Sequence, residues 1–378
     1  MYIIEELRNY MEEVGEASPY NGYFYNIQDV LTISICGMMC GIEKAKYIWE
    51  WSQEEPVRSF LSEKFKIKQI PCYAQYMNIL GVIDPDKFNI CFIKWVQSVL
   101  GRSVAGKTVS IDGKTVCGAE KASKNGEVLH IASAIISETD MIIGSKDCGT
   151  RMDEITAFRE LLEMLDVKGS IVVADALHCN KKSAEAVISA EADYLLVVKD
   201  NQPTLKENIE LYFTQPPCEI ESHTTVEKNG GRIERRTSYV SQDVGHIVGD
   251  WDSIACIGAL HRQFEKDEAK SSEWHYYISS APLTAEELLR HARAEWRVES
   301  MHWLLDVHFK EDKTIISNMN TQKNLNILRK IVLNLLRAFK AKTQSKAALS
   351  SILRKNLFNI QNLQHFCDAL ALDLIVHN

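Results

Sequence analysis

The sequence predicts an α/β protein, a mixed sheet with flanking helices, preceded by a small all-helical domain. Residues 1–98 read as helices separated by short loops carrying Pro56, Pro71 and Pro85, and proline marks where a helix stops or a new one begins. From about residue 104 the pattern changes to β-rich runs, TVSIDG, EVLHIASAIIS and MIIGSKDC, and then to helix, strand, helix, strand. Strands in series followed by alternation call for one mixed sheet with helices packed on its faces.

In the amino-terminal part, NIQDVLTISICGMMCGI opens on Asn26 or Asp29 as a cap and continues with dense apolar residues. Helices are expected around Ala45–Ser52, Val57–Phe65, Cys72–Leu80 and Asp86–Val99. Beyond the three β-rich runs, DEITAFRELLEMLDV is an amphipathic helix and SIVVADAL a strand buried on both faces. NKKSAEAVISAEA is a helix, DYLLVVKD a strand, and Gln202 to Phe213 a further helix. That order is the one found in the RNase H-like fold. Residues of about 215–280 break the alternation as a β-rich insertion, with an exposed Arg-rich hairpin at TTVEKNGGRIERRTSYVSQ. TAEELLRHARAEWRVESMHWLLDVHFKED is a long helix capped by Thr284, with Glu286 and Glu287 in its first turn. The expected division is therefore a helical domain at 1–98 and an α/β domain at 99–378 that ends in a basic helical segment.

Composition narrows the class. Of 378 residues 46% are hydrophobic and 25% charged, which suits a globular chain with a full core. VLTISICGMMCGI is too short to span a bilayer, and the acidic start MYIIEELRNYMEE lacks the features of a signal peptide; a cytoplasmic protein with no membrane partner is expected. The ten cysteines show no CxxC pair, so they read as reduced and structural. The net charge of −8 hides an asymmetry, because Lys313 to Lys355 contains ten bases and no acid. Such a segment either attracts a polyanion or is a solvated face balancing acidic neighbours.

Three carboxylates stand out. Asp112, in VSIDGKTV, is followed by glycine between alternating apolar residues, which fits a hairpin turn or a ligand at a strand end. Asp175 ends the apolar strand of SIVVADALHCN, where a carboxylate must be paired, capping or on a metal. Glu299 lies on the helical stripe of Leu288, Ala292, Trp296 and Trp303, with Glu295, His302 and Asp306 along its border. A buried ion pair with Arg293 or Arg297 is the plainer reading of that glutamate. Trp296 and Trp303 are expected to pack against the sheet. Taken together, two strand-end aspartates and one helical glutamate can hold two hard cations, Mg²⁺ or Mn²⁺. Such a pair serves phosphodiester displacement, and the basic segment would then hold the phosphate backbone.

At IDGKT, VVADALHCNKKSAEAVISAEADYLLVVKDNQPTL, EWRVESMHWLLDVHFKEDKT and NLNILRKIVLNLLR, the chain resembles the DDE transposases of bacterial insertion sequences, in particular their H-repeat-associated group. YNIQDVLTISICGMMCGI and IPCYAQYMNILGVIDPDKF resemble that group's helical associated domain. The resemblance implies that Asp112, Asp175 and Glu299 are the catalytic metal-binding triad on an RNase H-like fold. It also implies nicking at transposon ends followed by strand transfer into target DNA, by homo-oligomers on double-stranded terminal inverted repeats near the nucleoid. Related enzymes often carry a Tyr, Arg, Glu, Lys signature around the glutamate; here Glu295 and Asp306 occupy two of its places, so its DNA contacts do not transfer. Asn180 and Ser300 stand where glutamine and asparagine are common.

Candidate DNA contacts are Lys114, His178, Lys199, Asn201, Gln202, Arg232, Arg235, Arg236, Arg297, Lys323, Arg329, Lys330 and Arg337. For His178 a local hydrogen bond, and for Asn201 and Gln202 a plain turn with Pro203, explain the residues equally well. The alternatives to a transposase are an RNase H-like nuclease that cuts without joining, or an inactive DNA-binding remnant of a mobile element.

Overall fold

The computed structural model describes residues 3–15, 25–100, 104–118, 129–148, 154–229, 232–245, 249, 251, 253–266 and 269–370. Its strands are β1 (Thr108–Val116), β2 (Leu129–Ile136), β3 (Met141–Asp147), β4 (Ile171–Ala174), β5 (Asp193–Val198), β6 (Glu221–Asn229), β7 (Arg232–Ser241), β8 (Cys256–Lys266) and β9 (Ala269–Ser279). They form one sheet in the order β3-β2-β1-β4-β5-β9-β8-β7-β6. The first five are RNase H-like: β1, β2 and β3 pair antiparallel, whereas β1–β4 and β4–β5 are parallel. Their apolar runs explain this placement, since β2 is buried at every position and β4 and β5 at nearly every one.

Of the two readings of Asp112, the hairpin turn does not hold: β1 stays paired with β2 through Asp112↔Ser133 and Gly113↔Ala132 as far as Val116↔Leu129. The β-rich insertion is present as expected. β9 pairs antiparallel with β5 and carries β8, β7 and β6 outward as a continuation of the same sheet. The β6–β7 hairpin is present, and its Gly230–Gly231 turn lies outside the described residues.

Amino-terminal helices are α1 (Ile3–Tyr10), α2 (Glu12–Gly15), α3 (Ile27–Met39), α4 (Ala45–Ser52), α5 (Glu55–Phe65), α6 (Tyr73–Val82) and α7 (Pro85–Leu100). Asn26 caps α3 through its side chain. Around the sheet lie α8 (Glu154–Met164), α9 (Lys181–Ser189), α10 (Pro203–Thr214) and α11 (Ala285–Phe309). The chain then continues into α12 (Met319–Thr343), α13 (Leu349–Phe358) and α14 (Ile360–Ala369). Thr284 caps α11 with a reciprocal capping box to Glu287.

Helix α12 is the axle of the molecule. It packs on α3, α6 and α7, and also on β3 and α11, so the amino-terminal helices and the sheet share one hydrophobic core. Asn334 of α12 closes the free edge of β3: its Oδ1 accepts from Ile142 N–H at 2.9 Å and its Nδ2 donates to Ile142 O at 2.8 Å. An edge strand otherwise presents unpaired backbone groups. At the insertion, α11 lies directly on β8, because a Cβ at Gly258 would stand 2.6 Å from Leu288. Among the described residues, no helix is long and apolar enough to cross a membrane.

Candidate active site

Strand β1 and helix α11 meet along one face of the sheet. Side chains alternate along a strand, so Thr108, Ser110, Asp112 and Lys114 share a face. Thr108 Oγ1 lies 2.8 Å from His291 Nδ1, and Ser110 Oγ donates to Ala294 O at 3.0 Å. Asp112 Oδ2 lies 3.7 Å from His302 Nε2, and Lys114 Nζ lies 2.6 Å from Asp306. The spacing works because 108 to 114 covers about 20 Å of strand and 291 to 306 about 22 Å of helix.

Asp112 and Asp175 come together through the register of the parallel strands. Ile111 pairs with Ala174 at the last position of the β1–β4 ladder, so Asp112, which continues in β1, and Asp175, the first residue beyond β4, come next to each other. Asp175 also caps the 3-10 turn Ala176–His178, where its Oδ1 accepts from Leu177 N–H at 3.0 Å. The helix that follows is capped separately, by Asn180 through Ser183 N–H.

Glu299 is exposed on α11 and near enough for its charge to act on Asp112; of the expected stripe, Leu288 and Ala292 are buried and Trp303 is not. The buried stripe of α11 runs through His291, Ala294, Val298, Met301, Leu305 and Phe309. Trp303 is 60% exposed, which corrects its expected burial, and Trp296 is partly buried beneath Arg236 and Arg262. Glu295, Glu299, His302 and Asp306, at spacings of four, three and four, form a polar stripe of their own beside the buried one.

The electrostatics report crowding. Burial first, then the charges of Asp175, Glu154 and Glu299, push the Asp112 carboxyl up to about 6, against a hydrogen bond from Gly113. Burial pushes Glu295 up to about 7; Lys199 opposes this, while Asp175, Glu299 and Asp112 add to it. His302 is held down to about 3 by burial and by the charges of Lys330 and Lys114, and its buried Nε2 has no hydrogen-bond partner. Burial, and then crowding by neighbouring carboxylates, leaves this group short of positive charge. Asp112, Asp175 and Glu299 are hard oxygen donors of the kind that Mg²⁺ or Mn²⁺ takes, although among the described residues these three do not bring one oxygen each within 4.8 Å of one another.

Glu154, at the start of α8, was missed in the sequence. Its two oxygens lie 2.7 Å from His130 Nε2 and 3.3 Å from His178 Nε2. These hydrogen bonds, that of His130 first, hold its carboxyl down to about 2. No motif marks it; the signal available was a lone glutamate opening a helix.

A second acidic group lies further along. Among the described residues, Asp306, Glu311 and Asp312 are the carboxylates whose oxygens come within 4.8 Å of one another in a group of three. Lys114 Nζ stands 2.6, 3.1 and 3.5 Å from them, so an ammonium already occupies the centre. This corrects Lys114 as a phosphate contact.

Other expected DNA contacts also turn inward. His178 is buried and stacks on Phe158 at 4.3 Å. Asn201 donates to Ala176 O and Gln202 to Cys179 O, bracing the turn after Asp175. Arg236 is buried and paired with Glu227 and Glu234. In the basic segment Arg329 and Lys330 are buried, Lys323 pairs with Asp147, and Arg337 donates to Asp140 O. The middle of α12, where Arg329 and Lys330 lie, is packed on all sides, whereas Lys313, Lys346, Arg354 and Lys355 of the same basic segment are exposed. Lys199, Arg232, Arg235 and Arg297 remain exposed, the last paired with Asp140 at 3.4 Å.

Fold and site together define an RNase H-like protein with an acidic centre where the parallel β1–β4 ladder ends. Comparison with known proteins makes this specific. The family model described as "Transposase DDE domain" matches residues 107–335, and one described as "DDE_Tnp_1-associated" matches 9–96. "H repeat-associated putative transposase YhhI" of Escherichia coli is 30% identical over 373 residues, 94% of this chain and 98% of that protein. "Putative transposase YncI" of Escherichia coli is 29% identical over 348 residues, 88% of each. The cryo-EM structure of a piggyBac transposase synaptic complex with hairpin DNA superposes with a TM-score of 0.45 at 11% identity, covering 97% of this chain and 78% of that one. The chain belongs to the DDE transposase family.

Proposed function

We propose that this protein cleaves DNA at the ends of an insertion sequence and joins the freed 3′ ends to target DNA, with Asp112, Asp175 and Glu299 holding two Mg²⁺ or Mn²⁺ ions. The observation that carries this reading is the register Ile111↔Ala174, which brings Asp112 and Asp175 next to each other under the charge of Glu299. When bound, such ions activate a water or a 3′-hydroxyl and stabilise the leaving oxygen. The protein's part is to present the three carboxylates and to seat the DNA. Arg293 and Arg297 open with Trp296 and Ser300 onto one cleft beside α11. With Lys199, Arg232 and Arg235 exposed, they are the side chains we assign to backbone phosphates. Assembly as a homo-oligomer on paired DNA ends belongs to the same reading.

The test is cleavage and strand transfer on the element's own terminal repeats with Mg²⁺ or Mn²⁺. Asp112→Asn, Asp175→Asn and Glu299→Gln should each lower cleavage by about 10²–10³-fold or more, with the fold intact by circular dichroism. Undiminished cleavage in any of them would remove that residue from the site, and cutting without joining would make the protein a nuclease.

A further inference from the structure

A glycine beside the first aspartate admits a fourth carboxylate to the site. A Cβ at Gly113 would stand 2.3 Å from Glu154 Cδ, 2.5 Å from its Oε2 and 2.6 Å from His130 Nε2. Such distances are impossible, so Glu154 lies against the β1 backbone at the residue following Asp112. From there it touches both β2 and the turn beyond β4. His130, on β2, donates Nε2–H to one oxygen and accepts on Nδ1 from the Thr115 hydroxyl at 2.8 Å. His178, beyond β4, donates to the other oxygen and lies 4.0 Å from Asp175 Oδ1. The His178 ring is 1% exposed and stacked on Phe158, so it cannot swing away.

We propose that Glu154 is a positioning residue of the acidic site. It bridges His130 and His178 and so holds the Asp175 turn beside Asp112. The proposal rests on the reading of Asp112 and Asp175 as metal ligands. Residues that hold a ligand through a hydrogen bond typically change metal affinity about 10–100-fold when removed.

The experiment titrates Mn²⁺ into the full chain without DNA and follows the loss of the free-ion electron paramagnetic resonance signal. Glu154→Gln keeps the volume and removes the charge, whereas His130→Phe keeps every carboxylate and removes only one arm of the bridge. Both should weaken Mn²⁺ binding by about tenfold, and the pair together should be no worse than the weaker single variant, because the two act as one unit. Thermal melts establish that each variant is folded. Glu154 acting by charge alone would leave His130→Phe binding Mn²⁺ as tightly as the unaltered chain, or more tightly, and that result overturns the proposal. Additive losses also overturn it, since they would make Glu154 a ligand. If Asp112→Asn binds Mn²⁺ unchanged as well, it is the underlying site reading that fails.

Discussion

His291 is held in one protonation state by a chain of donors. Arg290 donates to its Nε2 at 3.2 Å, so its Nδ1–H donates to Thr108 Oγ1 at 2.8 Å, and Thr108 in turn donates to Glu138 at 2.7 Å. The tautomer follows from this network. Burial, then the Arg290 charge, hold the ring down to about 4 against an ordinary 6.5. Between those values the unfolded chain binds a proton that the folded one refuses. Stability from this residue is therefore complete above about pH 6.5 and is lost as pH falls to about 4, on the order of 2–3 kcal/mol. Urea unfolding of the native chain and of His291→Gln across that range should show the difference between them shrinking as pH falls. Parallel curves would mean that the ring is free to protonate in place. The same row continues to Asp112, whose carboxyl is raised first by burial and then by neighbours that share its charge.

Helix α11 carries two stripes that the sequence presents as one. The periodic apolar pattern identified the helix, its cap and its polar border, but left its rotation open by about one residue. The choice is set by what the sheet offers. Gly258 lets Leu288 approach and the Thr108–Lys114 face demands polar partners, so Trp303 turns to solvent and Glu295, Glu299, His302 and Asp306 turn to the site. Alternation in TVSIDGK made that polar face legible, whereas the register that pairs Asp112 with Asp175 depends on long-range pairing that no local pattern encodes. Lys114 closes the far end of the stripe by pairing with Asp306, Glu311 and Asp312, of which Glu311 is 1% exposed. Lys114→Met leaves this group without its cation and should cost about 3–5 kcal/mol, read as a lower urea midpoint. A change below about 1 kcal/mol would reduce the cluster to a surface pairing.

Across the whole molecule, charge is distributed differently from its order in the chain. The basic carboxy-terminal segment was the sequence feature that most suggested a DNA surface, yet α12 spends Arg329 and Lys330 in the interior, where burial pushes Lys330 down to about 7. Composition cannot tell a solvated helix from one that joins two halves of a core. The fold class, the helical amino-terminal region and the β-rich extension were legible because each depends on periodicity. The shared core and the single continuous sheet were not, because each depends on which surfaces meet. All ten cysteines are free thiols, but Cys72, Cys117 and Cys218 are exposed and not part of the core that their reading as structural residues implied. Of the residues expected to contact DNA, those still exposed and basic lie on β7, at the end of β5 and on α11, while Lys313, Lys346, Arg354 and Lys355 are exposed in the carboxy-terminal segment. The central claim is that Asp112, Asp175 and Glu299, and not the Lys114 cluster, take the metal. Anomalous scattering from crystals of the protein soaked in Mn²⁺ tests it most directly. A Mn²⁺ peak coordinated by Asp112, Asp175 and Glu299 is the predicted result; a peak at Asp306, Glu311 and Asp312 with Lys114 displaced would contradict it.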